Sequence, residues 1–351
     1  MNLDFTIGQR RIGSGFPTYV VAEMSANHNQ SFEQAARILQ AAKEAGADAI
    51  KLQTYTPDTL TMRSGKEPFQ IWGGTLWDGR SLYDLYGEAQ TPWEWHAGLQ
   101  KRAGELGLDF FSTPFDATAV NFLESLRVPA HKIASFELVD LGLIQRVART
   151  GKPIIASTGM ATVEEIEEAV EAVRRAGGTQ LALLKCTSTY PARPEEMNLR
   201  TIPDLARRFG VPTGLSDHSM GIAVPVAAVA LGACIVEKHL TLSRQDPGPD
   251  SAFSLEPEEF KQMVAAIRVA EKALGRASYE ISPAEQKSRV FRRSLFVVRA
   301  MEAGEVFTSA NVRSIRPAHG LHPRHLEEVL GRRAGCDIEE GTPLTWALVQ
   351  G

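Results

Sequence analysis

Eight short runs of apolar and β-branched residues recur between residues 19 and 241, and nearly all of them end in polar or charged side chains. They are Tyr19–Met24, Ala49–Tyr55, Asp109–Phe115, His131–Glu137, Pro153–Gly159, Leu181–Ser188, Val211–His218 and Ala233–Thr241. Between them the period changes from strand-like to helical. Ser31 and Gln34 form a capping-box pattern, followed by apolar positions at Phe32, Ala35, Ala36, Leu39 and Ala42. Thr162 and Glu165 open a second such stretch, with Ile166, Ala169, Val170 and Val173 on one face. Eight alternations of this kind within residues 1–275 predict an α/β fold, a (β/α)8 TIM barrel. A doubly wound open sheet is the alternative, but no G-x-G-x-x-G follows the first run.

The remaining segments break the alternation. Residues 1–18 are polar and Gly-containing and read as a hairpin closing the bottom of the barrel. Thr56–Thr91 is too long for an ordinary connection, and it is rich in Trp, Tyr, Gly and Asp. It reads as a lid or substrate-recognition loop, and Arg244–Phe253 as a second one placing Asp250 and Ser251 above the site. After the helical stretch Glu258–Leu274 the character changes again. Residues 1–275 are assigned to the catalytic barrel, 276–290 to a polar linker and 291–351 to a small β-rich domain. In that domain SLFVVRA, VRSIRP and PLTWALV read as strands and EAGE and EEGT as glycine turns, with Arg292, Arg293 and Arg316 as candidate anion contacts.

Where the polar residues fall carries the chemistry. In a parallel barrel the C-terminal strand ends share one mouth, and a buried strand ending in charge is not using that charge for packing. Glu23, Lys51, Thr113, Lys132, Ser135, Ser157, Ser188, His218 and His239 all lie near such ends, which marks an active site. His218 and His239 end neighbouring strands, with Asp217 and Glu237 close by, and two converging imidazoles can hold a divalent metal with positions left open. Lys51, Lys132, Thr113, Ser135, Ser157 and Ser216 suit a phosphate. Glu23 and Glu237 can move protons. These residue types fit a metal-dependent aldolase, an enolpyruvate condensation or a phosphosugar epimerase equally well.

Composition narrows the setting. A net charge of −4 leaves no basic footprint for nucleic acid, and no apolar run is long enough to span a membrane. Cys186, Cys234 and Cys336 lack metal-finger spacing, which points to a reducing, cytoplasmic compartment.

The motifs separate the alternatives. AEMSANHN, GADAIKLQTYTPD, FFSTPFD, KIASFE, STGMAT, LLKCTSTYP, GLSDHSMG and VEKHLTL together resemble the sialic acid synthase family. RRSLFVVRAMEAGEVFTSANVRSIRP resembles that family's C-terminal antifreeze-like (SAF) domain, so the likeness runs through the whole chain. GGTLWDGRSLYDLYGEAQTPWEW, SFELVD and IRPAHGLHP are most similar to the branch acting on a diacetamido, 6-deoxy sugar. The resemblance implies condensation of phosphoenolpyruvate with an open-chain acylamino sugar, with a divalent metal (Mn²⁺, with Mg²⁺ or Co²⁺ as alternatives) on His218 and His239. It also implies Glu23, or alternatively Glu237, as the base. Lys51, Thr113, Lys132, Ser135, Ser157 and Ser216 match phosphoenolpyruvate positions, while Gln53, Tyr190 and Asp250 match sugar positions. Ser188 stands where neuraminate synthases favour Asn. Finally, it implies a domain-swapped homodimer in which Arg316 reaches the partner's sugar site.

Overall fold

A computed structural model describes residues 1–351. The chain divides into two compact units, Met1–Gly275 and Arg276–Gly351.

The first unit begins with an antiparallel hairpin, β1 (Asp4–Ile7) and β2 (Arg10–Gly13), that buries Phe5, Ile7 and Ile12. Arg10 ties it to the N-terminal strand ends, with Nη1 2.9 Å from Asp109 Oδ2 and Nε 3.2 Å from Asp48 Oδ1. The hairpin closes the bottom of the barrel, as the sequence suggests.

Eight parallel strands follow: β3 (Tyr19–Glu23), β4 (Ala49–Thr54), β5 (Asp109–Pro114), β6 (His131–Ile133), β7 (Ile154–Ser157), β8 (Leu181–Cys186), β9 (Thr213–Asp217) and β10 (Ile235–His239). They close into a barrel in which β10 pairs with both β9 and β3. Side chains on both faces are buried: Val20, Val21, Ile50, Leu52, Phe111, Ile155, Leu184 and Ile235 belong to one continuous core. This is why the strands read as unbroken apolar runs rather than alternating ones. Packing is tight at Gly214 in β9, where a Cβ would sit 2.3 Å from Ile235 O. No residue but glycine lets β9 and β10 approach so closely.

The helices start where the sequence signals them. Thr162 and Glu165 close a reciprocal capping box over Val163–Arg175. Ser31 also caps its helix, Phe32–Glu44, by accepting from Gln34 N, but the box is only half made: Gln34 Nε2 turns to Asn27 O at 2.7 Å. It thereby pins the loop after β3. No helix is long and apolar enough to cross a membrane.

The second unit pairs β11 (Ser294–Val297) with β12 (Val312–Ile315) over a small core of Leu295, Val297, Phe307, Val312 and Leu344. Gly304 and Gly341 hold the expected turns at φ of 82° and 85°. One expectation is corrected. PLTWALV is not a strand: Leu344 N donates to Leu295 O and Leu344 O accepts from Leu321 N, after which the chain turns into a 3-10 helix at Trp346–Leu348. Within residues 276–290, Pro283–Ser288 forms a capped helix. Arg316 follows β12 directly and is exposed.

Candidate active site

Strand register assembles the centre of the site. Glu23, the last residue of β3, is paired with His239 on one side and with Lys51 on the other. On β10, Glu237 pairs with Ser216 of β9, which in turn pairs with Cys186 of β8. Glu23, His239 and Cys186 end their strands at the C-terminal mouth, and Ser216, Glu237 and Lys51 lie shortly before the ends of theirs, in the part of the barrel where the fold places reacting groups.

The charged groups form one buried array. Lys51 Nζ is 2.8 Å from Glu23 Oε2, out of line for a hydrogen bond, and 3.6 Å from Glu237 Oε1. It also donates to Thr113 Oγ1 at 3.2 Å. Lys132 Nζ donates to Ser157 Oγ at 2.6 Å and lies 4.0 Å from the same Glu237 oxygen, which accepts from Ser216 Oγ at 3.2 Å. One carboxylate is therefore flanked by two ammonium groups. Burial would raise the pKa of Glu237, but Lys132 and Lys51 outweigh it and hold the group ionised. At Glu23 burial prevails over Lys51, Glu237 adds repulsion, and the pKa rises. Two carboxylates whose affinities for protons are pushed apart are suited to different roles. Burial lowers the pKa of Lys132, a cation short of counter-charge.

The sugar-side candidates hang from Glu23. Gln53 Nε2 donates to Glu23 Oε1 at 3.0 Å and to Ser25 Oγ at 2.8 Å, and Ser25 Oγ donates to Asp250 Oδ2. On the opposite side, Gly159 N donates to Ser135 Oγ at 3.2 Å. A Cβ on Gly159 would lie 2.2 Å from Ser188 Oγ and 2.8 Å from Ser135 Oγ, so glycine there makes room for both hydroxyls. Tyr190 packs its ring 4.4 Å from that of His218. Every candidate of the first unit thus joins one site. Arg316 belongs to the second unit.

The imidazoles fit a divalent metal. The His218 and His239 ring centres are 5.3 Å apart, and Phe253 packs 5.0 Å from His239. His218 Nδ1 lies 3.0 Å from Thr187 O, an arrangement that leaves Nε2 free to ligate in the neutral ring. His239 Nδ1 is buried with no hydrogen-bond partner. Burial pushes the His239 pKa well below its usual value, keeping that imidazole neutral as ligation requires, whereas at His218 burial is outweighed by Cys186 and the Thr187 carbonyl and the pKa rises. No group of three or more His, Cys, Asp or Glu side chains converges on one point. An ion here would complete its coordination with substrate and water.

Sequence reading missed several members. Ser25, a non-glycine residue at φ 46°, bridges Gln53 and Asp250. Cys186 Sγ sits 3.8 Å from His218 Nδ1, inside the site rather than in the structural core. Glu137, the last residue of a run already singled out, has a buried Oε2 without a partner, and burial raises its pKa to about 7. An open groove of about 1030 Å³ beside the mouth, along Thr158, Met160, Lys185 and Arg207, does not contain the histidines.

Comparison with known proteins agrees with this architecture. Residues 38–279 match the NeuB family model and residues 292–350 the SAF domain. The chain is 48% identical to the pseudaminic acid synthase of Helicobacter pylori over 330 residues, covering 94% of this chain and 97% of that one. It is 36% identical to the N,N'-diacetyllegionaminic acid synthase of Legionella pneumophila, covering 96% of each. The crystal structure of the spore coat polysaccharide biosynthesis protein SpsE from Bacillus subtilis superposes with a TM-score of 0.68 at 34% identity, covering 99% of both chains.

Proposed function

The chain belongs to the NeuB family, and on that premise we propose that it is a pseudaminic acid synthase. The reaction joins phosphoenolpyruvate to 2,4-diacetamido-2,4,6-trideoxy-altrose and releases phosphate. The supporting observation is the Glu23–Lys51–Glu237–Lys132 array abutting two imidazoles: anion binding, proton transfer and carbonyl activation in a single buried mouth.

Lys51 and Lys132 hold the phosphate and carboxylate of phosphoenolpyruvate, and Thr113, Ser135, Ser157 and Ser216 supply directional hydrogen bonds. Glu237 stays ionised and fixes both lysines between anion and carboxylate. Gln53, Ser188, Tyr190 and Asp250 orient the open-chain sugar. When bound by His218 and His239, a divalent metal (Mn²⁺ in this reading) supplies Lewis-acid polarisation of the aldehyde oxygen. C3 of phosphoenolpyruvate bonds to the aldehyde carbon and water adds at C2. Glu23 accepts one water proton and returns it to the former aldehyde oxygen; the bridging C2–O bond then breaks, and phosphate leaves with the proton of the C2 hydroxyl. The water therefore supplies the oxygen of the new keto group. Phosphoenolpyruvate carrying ¹⁸O in its C2–O bridge tests this directly: the label must leave in phosphate. Label retained in the sugar acid would overturn it.

Exposed apolar residues stand just beyond the C-terminal ends of β6, β7 and β9: Phe136 and Met160 at 60%, Met220 at 43%. Such a surface suits a cover, and a domain-swapped homodimer with Arg316 entering the partner's site would supply one. Mixing inactive Arg316→Ala and His239→Ala chains should restore turnover, and no recovery despite subunit exchange would remove this element. The three free cysteines suit a cytoplasmic setting.

A further inference from the structure

Of the aromatic residues in the 56–91 insertion, Trp77 packs directly on a candidate site residue, Tyr190. Trp72 points to solvent, 67% exposed. Tyr83 is spent on the surface, donating to Asp58 Oδ1 at 3.0 Å beneath the Arg63 guanidinium. Tyr86 packs on Tyr55 with ring centres 5.8 Å apart. Trp77 instead lies 5.6 Å from Tyr190, inclined at 58°, and its Nε1–H donates to Pro249 O at 3.0 Å. Pro249 precedes Asp250, whose carboxylate closes the Ser25–Gln53 chain to Glu23. Trp77 thus spans the two sides of the proposed sugar pocket, the Tyr190 side and the Asp250 side.

Its position is enforced locally. The tip is pinched by Ile71 N to Arg80 O and Gly79 N to Ile71 O, both 2.9 Å. Inside the pinch the Asp78 carboxylate accepts from Gly74 N at 2.8 Å, Thr75 N at 2.9 Å, Thr75 Oγ1 at 2.7 Å and Gly73 N at 3.3 Å. The Thr75 hydroxyl and these backbone bonds hold Asp78 down to about 2, so the clasp stays charged at any working pH. A loop tied through its own backbone loses little entropy when a ligand arrives.

We propose that Trp77 is a specificity-determining residue, an indole wall against the apolar face of the diacetamido deoxy sugar, and that Asp78 is its positioning residue. A 6-deoxy carbon and acetamido methyls give the indole apolar surface that a hydroxyl-rich sugar lacks. The proposal rests on the reading of this mouth as a sugar site.

The test compares kcat/KM for 2,4-diacetamido-2,4,6-trideoxy-altrose and for N-acetylmannosamine in the full-length protein, with KM for phosphoenolpyruvate as a third readout. Trp77→Ala should lower kcat/KM for the diacetamido sugar by about tenfold or more and for N-acetylmannosamine much less, with KM for phosphoenolpyruvate unchanged. Asp78→Ala should reproduce that selective loss in smaller measure, and Asp78→Asn, which keeps one acceptor oxygen, should recover part of it. An equal fall with both sugars, or a wild-type preference that survives Trp77→Ala, would overturn the role of Trp77 alone. Absence of wild-type turnover with any sugar would overturn the functional reading instead.

Discussion

Lys238 is ion-paired with Asp217, the residue directly opposite it in the β9–β10 register, and the two stand one position before His239 and His218. Both side chains are buried. Lys238 also donates to Ser219 O, and Asp217 Oδ1 accepts from Ser219 N at 2.9 Å. The two strands that carry the imidazoles are thus locked to each other and to the loop just beyond His218.

Asp217→Asn leaves a buried ammonium without its counter-charge, which should cost about 3–5 kcal/mol of stability, read by urea denaturation. The double replacement Asp217→Leu, Lys238→Met should recover most of that stability. If the single variant is as stable as the parent, the pair is not a structural lock.

His218→Ala and His239→Ala should each weaken Mn²⁺ binding by more than the roughly 10–100-fold typical of losing an outer-sphere partner. Calorimetric titration measures this independently of turnover. Unchanged affinity in both variants would place the ion elsewhere.

Glu23→Gln should lower kcat by about 10²–10⁴ with little change in KM for phosphoenolpyruvate. Burial raises the Glu23 pKa above the usual carboxylate range, and a base works only when ionised. The wild-type rate should therefore rise with pH through that raised value, and the limb should vanish in Glu23→Gln. A limb that persists would transfer the role to another group, Glu237 first.

His28 and His96 clamp the return of the insertion, through Thr91 Oγ1 at 3.2 Å and Thr54 Oγ1 at 2.8 Å. Burial depresses both pKa values to about 4. Folding therefore favours the neutral rings. Their stabilisation is complete above the ordinary histidine pKa of about 6.5 and is lost as pH falls toward 4, up to about 3 kcal/mol each. Replacing each by Gln should flatten stability against pH across that window. An unchanged acid limb would assign it to other groups.

The barrel was legible because strands buried on both faces concentrate their polar residues toward their C-terminal ends, so Glu23, Lys51, Lys132, His218 and His239 announce both element and site. What stayed hidden depends on partners distant in sequence. Ser25 is a site residue only because Asp250 arrives from 225 positions away, and which of the insertion's aromatics turns toward Tyr190 depends on Pro249, 172 positions beyond Trp77. The unpaired Oε2 of Glu137 is invisible without knowing what buries it. Spacing cannot carry such information. PLTWALV misled because its apolar content serves the small core through Leu344 rather than through a ladder.

Phosphate release from phosphoenolpyruvate with Mn²⁺, measured with the altrose diacetamido sugar, the legionaminic precursor and N-acetylmannosamine in parallel, tests the proposed reaction most directly. The site described here should favour the altrose sugar. Preference for either of the others would keep the chemistry and reassign the substrate to legionaminic or N-acetylneuraminic acid synthesis. No release with any of the three would contradict the proposed condensation and leave a sugar-binding protein without catalysis.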